Sequence, residues 1–120
     1  AAHPEAQREL LDRNPSYVFF RFSDAAIGAL GVPVTADRTV AADPRVFPKG
    51  ALAFLESERP ADATAAAPFR PFSRFVLDQD SGGALRPAER LDLFLGSGAY
   101  AEAAAGRMKQ PGRLTYLLLR

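Results

Sequence analysis

The stretch Phe75-Val76-Leu77-Asp78-Gln79-Asp80-Ser81-Gly82-Gly83 decides the fold. Its first three residues are apolar and favour extended backbone, so they read as a strand. Two carboxylates close that strand, and the paired glycines permit the positive φ of a sharp reversal. A strand that stops this abruptly belongs to an architecture of short strands and tight turns.

Working towards the C-terminus, residues 90–95 (Arg-Leu-Asp-Leu-Phe-Leu) read as another strand, and Gly96-Ser97-Gly98 opens an Ala-rich helix over residues 99–108. Pro111-Gly112 stops that helix, and residues 114–119 form a last strand. Towards the N-terminus, residues 51–55 form a strand after the Pro48-Lys49-Gly50 turn, and residues 39–42 form one that ends at Asp43-Pro44. Gly28, Gly31 and Pro33 punctuate a loop. Tyr17-Val18-Phe19-Phe20-Arg21-Phe22 is the densest aromatic and β-branched run in the chain and reads as the first strand. A short helix precedes it over residues 4–14, with Pro4 tolerated in its first turn and Asn14-Pro15 forcing a stop. Residues 56–71, rich in Ala, Pro and charge, read as a mobile loop with little to bury.

Six short strands and two short helices, without regular alternation of strand and helix, predict a mainly β fold. Closure into a barrel would remove the edges that such apolar strands present. At 120 residues the chain accommodates one core. The expected organisation is a helix and linker over residues 1–14 and one β domain over residues 15–120.

Composition narrows function by exclusion. A net charge of +1 gives no field that would gather nucleic acid, and the lack of Cys removes disulfides, thiolate metal sites and cysteine nucleophiles. No stretch reaches the roughly 20 apolar residues of a membrane span, and the start carries no basic, apolar leader, so the chain is cytosolic, mature or truncated. His3 is the single histidine, at a terminus, where a catalytic triad or zinc site is hard to assemble. Neither a nucleophile elbow nor a phosphate loop is present.

Carboxylates remain. Asp43, Asp78 and Asp80 end strands, whereas Asp92 lies inside an apolar one. Strict alternation puts Leu91, Leu93 and Leu95 on one face and Asp92 with Phe94 on the other, so Asp92 is expected to be partly desolvated. Desolvation raises the pKa of a carboxylic acid, as a general acid near neutral pH requires. The plain alternative is a solvated strand carboxylate paired with Arg86 or Arg90. Likewise Asp43 can cap the Pro44 turn, and Asp80 can accept backbone N–H groups from the glycine turn.

The order of motifs resembles a known family. Gly28-Ala29-Leu30-Gly31-Val32-Pro33-Val34-Thr35, Ala41-Ala42-Asp43-Pro44, Val46-Phe47-Pro48-Lys49-Gly50, Gln79-Asp80-Ser81-Gly82-Gly83-Ala84 and Asp92-Leu93-Phe94 together resemble the three-aspartate domain of the membrane-bound lytic murein transglycosylase A family. The likeness runs from Asn14 to Gly112, and several motifs in sequence make it specific. It implies a six-stranded double-psi β-barrel with peripheral helices. It also implies that Asp92 is the catalytic acid/base and Asp80 its supporting neighbour, with Asp43, Gln79, Ser81, Gly82 and Gly83 contacting substrate.

The implied reaction is non-hydrolytic cleavage of peptidoglycan glycan strands between N-acetylmuramic acid and N-acetylglucosamine. One carboxylic acid protonates the glycosidic oxygen and then accepts the proton of the muramoyl C6 hydroxyl, which closes a 1,6-anhydro ring. That hydroxyl replaces the second carboxylate of ordinary glycosidases, and no metal or organic cofactor is called for. The resemblance further implies a periplasmic, outer-membrane-associated enzyme, and an N-terminal part of the same protein as partner to complete barrel and groove. Leu95 departs from the family, which commonly has Trp there. The competing expectations are a non-catalytic glycan- or partner-binding barrel and a hydrolase with a second carboxylate.

Overall fold

The structure, a computed structural model, describes residues 4–15, 19, 22–82, 85 and 89–119. Among them the chain runs α1 (Pro4–Asp12), β1 (Thr39–Ala41), β2 (Leu52–Pro60), β3 (Phe69–Asp80), β4 (Asp92–Leu93), α2 (Ala99–Ala105) and β5 (Arg113–Tyr116). The fold is mainly β, as expected. The described strands form one five-stranded sheet of order β4-β1-β3-β2-β5, open at both edges, rather than six strands closed on themselves.

The strand expected over residues 17–22 lies largely outside the described residues; Phe19 and Phe22 are described, belong to no strand and are exposed. The largest correction concerns residues 56–71. Instead of a loop, most of this segment is sheet: β2 and β3 pair antiparallel from Leu52↔Leu77 to Pro60↔Phe69. Polar residues suit these positions because Glu56, Glu58, Arg70 and Ser73 are exposed. Pro71, opposite Glu58, is tolerated because β1 pairs only with the far end of β3, so the proline has a strand on one side alone. By contrast the strand read over residues 90–95 shrinks to Asp92–Leu93.

Alternation sets the two faces of the sheet. Val40, Ala53, Leu55 and Val76 form the buried cluster, with Phe72, Leu91, Leu93, Leu114 and Tyr116 packed against it. On the opposite face Leu52 lies across from Leu77 and Phe54 from Phe75, the two rings meeting edge-on at 5.0 Å.

One irregularity re-aims side chains. β1 runs parallel to β3 with Val40 opposite Asp78 and Ala41 opposite Asp80, so β3 carries one extra residue, Gln79. Such a bulge reverses the face that the next residue takes. Asp78 therefore points with the core while Asp80 joins the row of Ala41. The loop before β1 seals this place: Gly28 approaches so closely that a Cβ there would lie 2.7 Å from the Gln79 carbonyl oxygen, which only glycine permits.

Candidate functional site

Ala41 has an aspartate on either side. It pairs with Asp80 of β3 and with Asp92 of β4. Directly paired residues share a face, and strands lie about 4.8 Å apart, so the two aspartates stand roughly 10 Å apart at the backbone. Asp80 is half-buried and its Oδ1 accepts the backbone N–H of Ala29 at 3.0 Å. Asp92 is not the desolvated carboxylate expected from alternation. Its side chain is 55% exposed, and Arg90 donates to both its oxygens, at 3.1 and 3.3 Å. β4 is an edge strand two residues long, so little covers its outer side.

Asp92 lines a groove of about 730 Å³, together with Leu55, Phe72, Arg90, Leu93 and Met108. Its other wall is the segment from Lys109 to Gly112 that leads into β5. The groove thus occupies the gap where closure would bring the β4 side of the sheet to the β5 side.

The third aspartate lies two residues past the end of β1. Asp43 is buried, and Arg45 engages both its oxygens through Nε and Nη2 while the Arg45 backbone N–H donates to Oδ1 at 3.0 Å. Hydrogen bonding to Asp43, and then its charge, raise the pKa of the Arg45 guanidinium. Asp43 thus braces the turn that follows β1. Gln79 accepts the Thr39 hydroxyl at 2.7 Å, Ser81 is exposed, Gly82 is half-buried, and Gly83 lies outside the described residues.

Beneath the row of Ala41 is a polar cluster that sequence reading missed. Asp78 is fully buried and accepts the Lys49 ammonium at 2.5 Å and the Tyr116 hydroxyl at 2.8 Å. Lys49 also donates to the carbonyls of Ala42, at 2.9 Å, and Asp80, at 2.7 Å. The Tyr116 ring stacks on Phe47 at 5.0 Å. Nothing local pairs Lys49 with a residue 29 positions away; the available signal was Asp78 falling on the inward alternation of Phe72, Arg74 and Val76, where a carboxylate requires a partner. Among the described residues no group of three or more His, Cys, Asp or Glu side chains could hold a metal ion, and no helix is long and apolar enough to cross a membrane.

An open sheet that sets Asp80 and Asp92 on either side of Ala41, with Asp43 just past β1, fits a three-aspartate domain, and residues 38–118 match the family model described as 3D domain. The chain belongs to this family, in the form found in membrane-bound lytic murein transglycosylase A proteins. It is 37% identical over 110 residues to the Vibrio cholerae membrane-bound lytic murein transglycosylase A, covering 89% of this chain and 29% of that protein. Among solved structures it is similar to the lytic transglycosylase LtgG of Burkholderia pseudomallei, at 43% identity and a TM-score of 0.67, covering 96% of this chain and 34% of that one. It is also similar to Escherichia coli MltA with bound chitohexaose, at 32% identity and a TM-score of 0.70, covering 96% and 35%. The chain spans about a third of the length of these relatives.

Proposed function

We propose that this chain is the catalytic three-aspartate domain of a peptidoglycan lytic transglycosylase, cleaving the bond between N-acetylmuramic acid and N-acetylglucosamine with formation of 1,6-anhydro ends. The carrying observation is the placement of Asp80 and Asp92 on either side of Ala41, with Asp92 at an open groove. A relative similar along nearly all of this chain binds a chito-oligosaccharide, which supports glycan as the occupant.

Asp92 is the acid/base. Exposed ion pairs contribute only roughly 0–1 kcal/mol, so an entering glycan readily displaces Arg90 from the carboxylate. The sugar then takes the place of water and of the cation at this carboxyl. After proton donation to the glycosidic oxygen, the carboxylate accepts the proton of the C6 hydroxyl. That hydroxyl supplies the nucleophile, so the roughly 10 Å between the Asp80 and Asp92 backbones need not hold a second attacking carboxylate. Asp80, fixed by the Ala29 N–H, supports Asp92 through its charge. Gln79, Ser81 and the glycine turn border the same end of β3 and contact the glycan. The remainder of a relative-length protein closes the sheet into a double-psi barrel and supplies the opposite wall of the groove, and the enzyme works in the periplasm at the outer membrane.

Digestion of purified sacculi by the full-length protein, followed by mass analysis of the soluble muropeptides, tests this reading. Anhydro ends are expected; reducing ends would indicate a hydrolase, and no release a binding module. Asp92→Asn keeps shape and removes the proton, so it should abolish product with the fold intact, whereas Asp80→Asn should lose only part of the rate. Wild-type turnover by Asp92→Asn would remove Asp92 from the chemistry.

A further inference from the structure

Beyond the Gln79 bulge the β1–β3 ladder stops, because Ala41↔Asp80 is its last pair. The strand ends that carry the aspartates then need another tie. The carbonyls of Ala42, next to Asp43, and of Asp80 both point to one donor, the Lys49 ammonium. That side chain is 17% exposed, and its third acceptor is the Asp78 carboxylate, itself fully buried and held on its other oxygen by Tyr116. An ammonium has three donors and no acceptor, so Lys49 is fully engaged and points nothing at the groove.

We propose that Lys49 is a positioning residue of the reaction: held on Asp78, it ties the Ala42 and Asp80 carbonyls together where the strand ladder ends, and so sets the separation of the Asp80 and Asp92 carboxylates. The inference rests on the functional reading above. It goes further in assigning the geometry of the carboxylate pair to a residue outside the groove. Tethering by a single charged group is strong here because each bond is charge-assisted and little water competes. Asp78 is the anchor that keeps the ammonium in place, while the two carbonyl contacts do the positioning.

Lys49→Met alone leaves Asp78 buried beside an uncharged neighbour and is expected to destabilise the fold, so loss of activity in that variant would not separate the two roles. The decisive variant is Lys49→Met with Asp78→Leu in the full-length protein. It replaces both charges by apolar groups, so that no buried charge is left unpaired and stability recovers relative to Lys49→Met, yet it leaves the two carbonyls untied along with the Tyr116 hydroxyl. Misplacement by about 1 Å can cost on the order of 100-fold in rate, so kcat on soluble glycan strands should fall by about that factor with KM little changed. Amide exchange at Ala29, whose N–H rests on Asp80, should quicken in the same protein. A doubly substituted enzyme that melts like wild type and turns over like wild type would overturn the proposal, as would unaltered Ala29 exchange. If the wild-type enzyme releases no anhydro product the functional reading fails, while the Ala29 exchange still decides whether Lys49 fixes Asp80.

Discussion

Tyr116 carries the clearest electrostatic signature of the buried cluster. Burial first, then its hydrogen bond to Asp78 and the charge of that carboxylate, push its hydroxyl pKa far above the ordinary 10.0. The folded state therefore holds this proton more tightly than the unfolded chain does. Its contribution to stability is complete below about pH 10 and declines as pH rises above that value towards the folded pKa. Replacement by Phe leaves an oxygen of the buried Asp78 without its donor, which at pH 8 should lower stability by roughly 1–3 kcal/mol. The deficit of Tyr116→Phe relative to wild type should shrink as melts are repeated from pH 9 to 11, because the wild type alone loses the tyrosine contribution. A constant difference across that range would show that the hydroxyl does not titrate with folding. At this scale the sequence exposed the candidate carboxylates, since Asp in an apolar strand is visible without coordinates. It did not expose their environments: Asp92 is solvated and paired with Arg90, while Asp43 and Asp78 are buried, because strand ends, an edge strand and a bulge decide which side chains are covered.

The β2–β3 hairpin shows how an element can be illegible yet well determined. Residues 56–71 have the composition of a loop, but their polar side chains find partners that no local pattern announces. The Arg59 guanidinium lies 5.4 Å from the Phe72 ring centre and 6.0 Å from that of Tyr100, and pairs with Asp37 at 3.0 Å. The tip is held by the turn that follows α2: Arg107 donates to the carbonyls of Thr64, at 2.9 Å, and Ala67, at 2.7 Å, and stands over the Phe69 ring at 5.0 Å. Strand identity at residues 75–77 and 51–55 was readable because short apolar runs bounded by turn residues mark it, whereas extension to Pro60 and back to Phe69 depends on contacts from α2 and the turn after it. Arg107→Ala should then open the tip while leaving the shared core in place. Hydrogen exchange at Ala61 and Ala67 should accelerate, Val76 should keep its protection, and global stability should fall by only about 1–2 kcal/mol. Equal acceleration at Val76 would mean that tip and core open as one unit.

Across the whole molecule, the mainly β class was legible from short apolar runs and Gly/Pro punctuation, but closure was not, because it depends on which strands are neighbours in space. The described strands leave β4 and β5 as open edges and present Leu52, Phe54, Phe75 and Leu77 on a face away from the core. Phe75 is 51% exposed and Leu52 42%. Exposed strand edges and a contiguous apolar face both promote association. The 120-residue chain by itself should therefore bind the dye ANS and show a concentration-dependent hydrodynamic radius, and Phe75→Thr should weaken both while far-ultraviolet circular dichroism is preserved. If, as proposed, the remainder of a relative-length protein covers these surfaces, the full-length protein should be silent to the dye under the same conditions. A dye-silent, monodisperse 120-residue chain would show that the sheet protects its own edges and that closure by the rest of the protein is not needed for its solubility.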